Sequence, residues 1–288
     1  FVIYINDLPD LLLSTVKLYA DDAKVYRSVN SPDDEQKLQE DITRLEEWSA
    51  RWLLRFHPGK CTMLRIALKE KPKNTYLMHD NTEEVPLRWN TEEKDLGVKI
   101  DERLSFQNEI DLRVKKANRI MGLIRRTFVH LSATTFTKLF KALVRPHLEY
   151  AAPVWSPHLQ GNLKKLESVQ RRATKQVPGL HHESYKERLR ILKLPSLEHR
   201  RVRGDLIETY KIIQGTYNIN SQDFFSLNTS TTRGHSKKLN KPRVNTSLRL
   251  HSFSFRTIKR WNNLPDTVIQ APSLNSFKSR LDRHLHPT

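Results

Sequence analysis

The chain has 288 residues, 37% of them hydrophobic and 28% charged, which excludes a disordered or fibrous protein and is long enough for two domains with their own cores. Its single cysteine, Cys61, excludes an internal disulfide and a zinc site built from several cysteines, and it has no run of about 18 apolar residues that could span a membrane. The formal net charge of +18 favours a polyanionic partner.

The first element is short and apolar, from Phe1 to Asn6. We interpret it as a strand that ends at a turn through Asp7 and Pro9, because aspartate and proline are common turn residues. The chain therefore starts inside an element, and it lacks an initiator methionine. These two features predict a fragment of a longer protein.

An acidic pair lies at the centre of the next element. From Val16 to Tyr26, apolar side chains alternate with polar or aromatic ones on both sides of Asp21 and Asp22, which predicts two strands joined by a tight turn through the two acids. Acidic residues at a turn often have only a structural role there, because the aspartate side chain hydrogen-bonds its own backbone. Tyr19 and the apolar flanks favour a different interpretation, in which a rigid hairpin presents two carboxylates to a hard cation such as Mg²⁺.

A long helix is predicted to begin after Ser31, which would be its N-cap, with Pro32 at the first helical position. Its apolar stripe recurs at steps of three and four residues and consists of Leu38, Ile42, Leu45, Trp48 and Trp52. Trp48 and Trp52 could serve as platforms for base stacking. Their place on the apolar stripe favours the protein core instead.

Short strands are predicted beyond this helix, which a break at His57-Pro58-Gly59 ends. The candidate strands are Lys60 to Ile66, Tyr76 to Met78, Val85 to Leu87, and Leu96 to Ile100. The second and third flank a turn at Asp80-Asn81. In the last, apolar residues alternate with polar ones or glycine, which predicts a half-buried strand.

From Ser105 onward the pattern is helical, and successive amphipathic helices joined by short turns predict a small bundle. The apolar stripes are Phe106, Ile110, Val114, Ala117, Met121 and Ile124 in the first helix; Phe136, Leu139, Phe140 and Leu143 in the second; and Leu163, Leu166, Val169 and Ala173 in the third. The second helix is expected to be N-capped by Ser132 and to end at Arg145-Pro146.

The positive charge is confined to this later part of the chain. Residues 1–104 carry 16 Lys and Arg against 20 Asp and Glu, a net of −4, whereas residues 105–288 carry 34 against 12, a net of +22. A basic helix face is usually solvated surface, but with so few acids self-repulsion is unfavourable unless phosphates neutralise it. We therefore expect contacts to a nucleic-acid backbone. The candidate contacts are Arg113, Lys116, Arg119, Arg125, Arg126, Lys164, Lys165, Arg171 and Arg172.

The C-terminal part is predicted to contain one more long helix, a linker and a tail. Ser196 opens a helix that extends to residue 213, and residues 214–247 are rich in Asn, Ser, Thr and Lys, which predicts a flexible basic linker. The tail, residues 248–288, regains apolar residues and ends in a helix capped by Ser273. We expect this tail to fold back on the bundle.

Several motifs resemble those of one enzyme family. Tyr19-Ala20-Asp21-Asp22 resembles the tyrosine-X-aspartate-aspartate box of reverse transcriptases, the RNA-directed DNA polymerases. The segments that resemble enzymes of non-long-terminal-repeat, jockey-like retrotransposons are Phe1 to Pro9, Trp48 to Trp52, Phe56 to Cys61, and Lys94 to Ile100. An acidic box alone would be weak evidence, but four motifs in the family's order are specific. The family usually has asparagine where this chain has His57.

The resemblance implies an α+β fold in which residues 1–104 are part of a polymerase palm and residues 105–213 are a helical thumb, followed by the linker and tail. It implies that Asp21 and Asp22 are catalytic and bind Mg²⁺ or Mn²⁺ in a two-metal nucleotidyl transfer. The other residues to which it gives a role are Tyr19, Ala20 and Lys60 at the nucleotide, with Lys60 as a general acid, and Leu96, Gly97 and Val98 in the primer grip.

The partners implied are an RNA template, a DNA primer or RNA–DNA duplex, and dNTPs, in an intracellular protein of the cytoplasm or nucleus without a membrane partner. The family's third metal-binding acid and its fingers would lie upstream of Phe1, so the isolated chain is expected to be an incomplete and inactive enzyme. The alternative is a non-catalytic, basic nucleic-acid-binding protein, a domesticated or degenerate remnant of a retrotransposon.

Overall fold

The structure is a computed structural model that describes residues 2–67, 69, 73–80, 83–228 and 234–285. The chain divides into two compact units, Phe1–Ser105 and Phe106–Thr288. The first unit combines helices with two-stranded sheets, and the described part of the second unit is helical apart from one isolated β-bridge. The predicted α+β class is confirmed. In the described part of the chain, no helix is long and apolar enough to cross a membrane.

The first unit contains three α-helices, one 3₁₀ turn and eight strands among its described residues. The α-helices and strands are α1 (Val2–Ile5), α2 (Leu8–Leu11), β1 (Thr15–Tyr19), β2 (Asp22–Tyr26), α3 (Pro32–Trp52), β3 (Thr62–Leu64), β4 (Leu77–Asp80), β5 (Glu83–Pro86), β6 (Arg88–Asn90), β7 (Glu92–Asp95) and β8 (Val98–Asp101). Three sheets are antiparallel hairpins, β1 with β2, β4 with β5, and β7 with β8, while β3 pairs in parallel with β6. The turn predicted at Asp80-Asn81 lies partly outside the described residues.

The strand predicted at the N-terminus is wrong, since Val2–Ile5 and Leu8–Leu11 are short helices. A short apolar run does not by itself distinguish a strand from a buried helical turn. Pro9 lies in the first turn of α2, where its missing N–H would have no helical partner in any case. Proline here begins a helix instead of marking a turn between strands.

Helix α3 is the centre of the first unit. Its predicted N-cap is confirmed: the Ser31 hydroxyl accepts the N–H of Asp34, and the Asp34 carboxylate accepts the N–H of Ser31 at 3.1 Å. Trp48 is buried, as predicted. Trp52 is 37% exposed and contacts Tyr4 edge to face, so its prediction as a core residue is wrong. It lies on the last turn of α3, just before the helix ends at a left-handed residue.

Two apolar clusters pack against α3. One joins α1, α2 and α3 and contains Ile5, Leu8, Leu45 and Trp48, with Leu18 and Val25 of the first hairpin packed against it. The other contains Ile42, Tyr76, Met78 and Leu87 and joins α3 to the β4–β5 hairpin. The acidic hairpin is therefore supported by the same helix that supports the later strands.

The second unit is built from helices. They are α4 (Gln107–Thr127), α5 (Ala133–Leu139), α6 (Arg145–Glu149), α7 (Ala152–Trp155), α8 (Gln160–Thr174), α9 (Tyr185–Ile191), α10 (Leu197–Ile213), α11 (Ser247–His251), α12 (Phe253–Arg256), α13 (Ile258–Asn262), α14 (Asp266–Ile269) and α15 (Leu274–Leu285). The predicted N-caps Ser132, Ser196 and Ser273 each accept the N–H three residues later.

A π-helical turn, Phe140–Val144, joins α5 to α6 and changes which residues face the core. Val144 is fully buried, whereas Leu143 is 47% exposed, so the prediction that Leu143 points inward is wrong. The turn inserts one extra residue, and the Arg145 N–H donates to the carbonyl of Phe140, five residues earlier. The helix also continues past Arg145 and Pro146, where the sequence had predicted its end.

The tail packs on α10, as predicted. The rings of Tyr210 and Phe277 stack with centroids 4.1 Å apart, and the Tyr210 hydroxyl donates to the carbonyl of Ala271 at 2.8 Å. The described parts of residues 214–247 do not form the predicted linker, because Phe225 and Leu239 are buried in the same cluster as Phe277. Because residues 214–247 are mostly polar, their sequence pattern did not indicate that these isolated apolar residues are buried.

Candidate functional site

The first hairpin places the acidic pair at its tip. Tyr19 pairs with Asp22 across the strands, so the loop between them consists of Ala20 and Asp21. The turn is thus one residue earlier than the predicted one, and Asp22 is the first residue of β2. Both Asp21 and Asp22 are exposed, so their carboxylates are accessible to a ligand.

The hairpin loop has an unusual backbone conformation. Ala20 has a φ of 54°, in the left-handed region that favours glycine. A positive φ at the first loop residue alone is the pattern of a type II′ turn, whose twist matches that of the flanking strands. A non-glycine residue in this region costs about 1 to 2 kcal/mol, so the surrounding hairpin holds the loop in place.

A buried carboxylate fixes the base of the hairpin. Asp41 of α3 is fully buried and accepts the backbone N–H of Leu13 at 2.7 Å and that of Ser14 at 2.8 Å. These two residues lead directly into β1. Sequence reasoning missed Asp41, although an acid three residues after Leu38 and four before Leu45 lies on the apolar stripe and could have signalled a buried anchor.

An ion pair joins the acidic hairpin to a second hairpin. Lys24 of β2 pairs with Asp95 at the end of β7. The next two residues, Leu96 and Gly97, form the turn of the β7–β8 hairpin with φ values of 44° and 79°, as in a type I′ turn. The structure therefore links the hairpin of the predicted acids to the hairpin of the predicted primer grip. Leu96 is a half-exposed turn residue and not part of the strand that had been predicted there.

Lys60 lies in the 3₁₀ turn Pro58–Lys60 and is exposed. The strand that was expected to begin at Lys60 begins at Thr62. Within the described part of the chain, no hydrogen bond or ion pair connects Lys60 to Asp21 or Asp22. A side chain on Gly59 would come within 3.1 Å of the His57 ring, so glycine lets the turn close under His57.

The described acids do not complete a metal site by themselves. No group of three or more His, Cys, Asp or Glu side chains that could hold a metal ion occurs among the residues described. Asp21 and Asp22 expose two carboxylates, of the chemical type that Mg²⁺ prefers, whereas a two-metal site needs further acids to hold two ions about 4 Å apart.

In the second unit, α4 and α8 bring predicted cationic residues onto adjoining surfaces. The α8 side chains Lys165 and Arg172 bridge to α4: Lys165 pairs with Asp111, and Arg172 donates to the side-chain oxygen of Asn118 at 3.1 Å. The exposed predicted residues on these helices are Lys116, Arg119, Arg125 and Arg126 on α4, and Lys164, Lys165, Arg171 and Arg172 on α8. The two helices therefore expose cationic side chains on neighbouring surfaces.

Arg113 does not belong to this exposed surface. Its side chain is only 8% exposed and is ion-paired with the fully buried Glu109, one helical turn earlier, and its guanidinium lies 4.9 Å from the ring centroid of Tyr150. The prediction of Arg113 as a nucleic-acid contact is therefore wrong. Its spacing from Ile110 puts it on the edge of the apolar stripe, where a charge needs a buried partner.

The first unit thus exposes two acids on a hairpin, and the second unit exposes cationic side chains on α4 and α8. Comparison with known proteins confirms the resemblance seen in the motifs. Over 191 residues the chain is 27% identical to the probable RNA-directed DNA polymerase from transposon X-element of Drosophila melanogaster. The matched stretch covers 62% of this chain and 20% of that protein.

Two further relatives have the same kind of name. The chain is 26% identical over 184 residues to the RNA-directed DNA polymerase from mobile element jockey of Drosophila funebris, covering 59% of this chain and 18% of that protein. It is 26% identical over 163 residues to the probable RNA-directed DNA polymerase from transposon BS of Drosophila melanogaster, and the match covers 55% of this chain and 18% of that protein. The matched part is about a fifth of the length of these curated relatives. No protein-family model and no solved structure matches the chain.

Proposed function

We propose that this chain is part of the RNA-directed DNA polymerase of a jockey-like, non-long-terminal-repeat retrotransposon. The observation that carries the proposal is the pair Asp21 and Asp22, exposed at the tip of a hairpin whose base is anchored by the buried Asp41. The similarity to three transposon polymerases supports it. In this proposal residues 1–104 belong to the palm and residues 105–213 to the thumb.

The hairpin acids would hold part of a Mg²⁺ or Mn²⁺ site. In nucleotidyl transfer such ions stabilise the attacking and leaving oxygens of the displacement. Tyr19 and Ala20 would lie beside the incoming nucleotide, and the exposed ammonium of Lys60 would donate a proton to the pyrophosphate leaving group. The turn formed by Leu96 and Gly97, with Val98 after it, would hold the 3′ end of the primer.

The second unit would bind the template and primer. Exposed cations on α4 and α8 would neutralise backbone phosphates and so position an RNA–DNA duplex without reading its sequence. The substrates would be an RNA template, a DNA primer and dNTPs, in the cytoplasm or nucleus. The remaining metal-binding acid would come from a segment before Phe1, so the chain alone would bind nucleic acid without extending a primer.

Primer extension tests this proposal. The chain is assayed alone and as a fusion in which the part of the X-element polymerase that precedes the matched stretch is placed before Phe1. We expect the fusion to extend a DNA primer on an RNA template only with Mg²⁺ or Mn²⁺, and we expect Asp21→Asn and Asp22→Asn to abolish extension. Asp10→Asn is the matched control, because it removes an exposed acid of the same unit that lies outside the hairpin.

The second candidate is a non-catalytic nucleic-acid-binding protein, a domesticated or degenerate remnant of a retrotransposon. It is favoured by the net charge of +22 on residues 105–288 and by the incomplete set of metal ligands among the described residues. It predicts salt-sensitive binding of duplexes, no extension by either protein, and no effect of Asp21→Asn on binding. Extension by the fusion that survives Asp21→Asn would contradict the assignment of the hairpin as catalytic.

A further inference from the structure

A groove in the second unit has a strongly basic lining and lies apart from the exposed cations of α4 and α8. It has a volume of about 470 Å³ and runs between the C-terminal end of α9, the start of α10, and α15. We call it the α9–α10 groove. Its ionisable lining residues are Arg190, Lys193, His199, Arg200, Arg203 and Asp282. Five basic side chains and one acid therefore line the groove, and one of the five, Arg190, is ion-paired with Glu187 of α9.

Two of these arginines are held in fixed orientations by carboxylates. Arg200 binds Glu149 through Nε and Nη2, with the Nη2 bond at 2.8 Å, and Arg203 binds Asp282 through the same two nitrogens, with the Nη2 bond at 2.9 Å. A guanidinium has five N–H donors, and these side-on pairs leave the Nη1 hydrogens of both arginines unused by the carboxylate. Fixed guanidinium groups with remaining donors are suited to binding phosphate oxygens.

The positive charge around these pairs exceeds the negative charge. Arg145 shares Glu149 with Arg200, at 3.8 Å from the carboxylate. Burial and the positive charges of Arg200 and Arg203 lower the pKa of Arg145, in spite of the opposing effect of Glu149. Three half-buried guanidinium groups therefore compete for two carboxylates. An added anion would relieve this repulsion.

Lys193 adds a further charge at the edge of the groove. It has a φ of 50°, in the left-handed region, and it is exposed between the buried residues Leu192 and Leu194. The Leu194 N–H donates to the carbonyl of Leu189 at 3.0 Å, which fixes the turn. In the part of the chain that the structure describes, no hydrogen bond or ion pair involves the Lys193 ammonium.

From these observations we infer that the α9–α10 groove binds phosphate groups of a nucleic-acid strand. The described residues that line it include no Phe, Tyr or Trp on which a base could stack, so the contact is to the sugar–phosphate backbone. A nucleic-acid strand is favoured over a free phosphate because the whole unit carries a net charge of +22. The inference does not depend on polymerase activity, and it adds a contact beyond the α4 and α8 surface.

Binding of the full chain to a 5′-fluorescein-labelled oligothymidylate of roughly 12 nucleotides tests the inference. Fluorescence anisotropy is measured at salt concentrations from about 50 to 200 mM. Lys193→Gln is compared with Lys186→Gln, which removes the same charge from an exposed site on α9 outside the groove. We expect Lys193→Gln to weaken binding by about three- to tenfold and to reduce the salt slope by about 0.7, the value for one single-strand phosphate. Lys186→Gln should change the affinity less than about twofold.

The location is checked by following the imidazole resonances of His199 by NMR, assigned with a His199→Gln variant. The oligonucleotide should shift them in the wild-type chain and much less in Lys193→Gln. Equal losses of affinity in the two lysine variants, or His199 resonances that do not move, would overturn the inference. If inorganic pyrophosphate shifts His199 at lower concentration than the oligonucleotide does, the groove takes free phosphates and the assignment to a strand is wrong. Both readouts are measured without dNTPs and need no extension of a primer, which separates this test from that of the polymerase.

Discussion

The carboxylate of Asp41 accepts the backbone N–H of Ser14 at 2.8 Å, and so helix α3 fixes the entry of the acidic hairpin. Asp41 is fully buried, and its second oxygen accepts the N–H of Leu13. A hydrogen bond that a backbone N–H donates to a charged carboxylate is shorter and stronger than a hydrogen bond between two neutral groups. The direction in which β1 leaves α2 is therefore set by one side chain that lies 20 residues beyond Asp21 in the sequence.

Replacing this carboxylate should destabilise the first unit. Asp41→Asn turns one acceptor into an NH₂ group that faces a backbone N–H, so a buried donor loses its partner. We expect a loss of about 1 to 3 kcal/mol in the free energy of unfolding, measured by urea denaturation. Glu47→Gln, the same chemical change at an exposed position of α3, is the control and should change stability by less than about 0.5 kcal/mol. Equal stability of the two variants would contradict the anchoring role.

The burial of Arg113 and the exposure of Lys116 predict that the two cations of α4 have different roles. Arg113→Gln removes the guanidinium that pairs with the buried carboxylate of Glu109, and it should cost about 3 to 5 kcal/mol of stability. Lys116→Gln removes an exposed charge and should leave stability within about 0.5 kcal/mol of the wild type. Thermal unfolding and oligonucleotide binding are measured for both.

The two variants should affect binding in the opposite order to their effect on stability, provided that both are folded. At a temperature where both variants are folded, Lys116→Gln should weaken duplex binding by about two- to fivefold, whereas Arg113→Gln should bind as the wild type does. The double variant Glu109→Leu with Arg113→Leu should recover much of the lost stability, because apolar residues can replace a buried ion pair. A stable Arg113→Gln protein with weakened binding would restore the original prediction for this residue.

The sequence was sufficient to predict elements whose signals are local. The hairpin at Asp21 and Asp22 and the capping box at Ser31 follow from alternation and from cap chemistry within a few residues. Leu143 shows where such reasoning fails. A single π-helical turn shifts the helical register by one residue, and no residue type in the segment signals that insertion.

Long-range partners were the second source of error. Asp41 and Arg113 are buried because of what packs on their helices, and a helical pattern alone gives a charged residue no reason to face inward. Phe225 and Leu239 lie in polar surroundings in the sequence, yet they join the core through contacts to the distant tail. The local pattern predicts the amphipathic elements, whereas tertiary packing decides which charges and loops are enclosed.

The turn of the β7–β8 hairpin gives a prediction that separates stability from function. Leu96 has a φ of 44° and is followed by Gly97, whereas asparagine before glycine is the favoured pair for a type I′ turn. Leu96→Asn should therefore raise the free energy of unfolding of the first unit by about 0.5 to 1 kcal/mol, measured in urea. If Leu96 contacts the primer, as the resemblance implies, the same variant should raise the KM for primer in the fusion. Gly97→Ala is the control and should lower the free energy of unfolding, because the φ of 79° at this position is unfavourable for alanine.

We predict that His235 makes the second unit sensitive to acid. It is 2% exposed, its Nε2 lies 3.1 Å from the carbonyl of Trp261, and its Nδ1 is buried without a hydrogen-bond partner among the described residues. Burial lowers the pKa of His235, and the nearby charge of Lys238 acts in the same direction, against the hydrogen bond to Trp261. The neutral ring is therefore favoured in the folded state.

The sign of the pH dependence follows from this lowered pKa. The unfolded chain takes up a proton on His235 at about pH 6.5, before the folded protein does, so stability is fully present above that pH and is lost as the pH falls toward the folded-state pKa. Urea unfolding at about pH 7.5 and about pH 5.5 should show a larger loss for the wild type than for His235→Gln, whose amide can donate to Trp261 but cannot be protonated. Burial also lowers the pKa of His147 and His158, so the variant should keep part of the acid sensitivity. Identical losses of stability in the wild type and His235→Gln would show that His235 is not a source of the acid sensitivity.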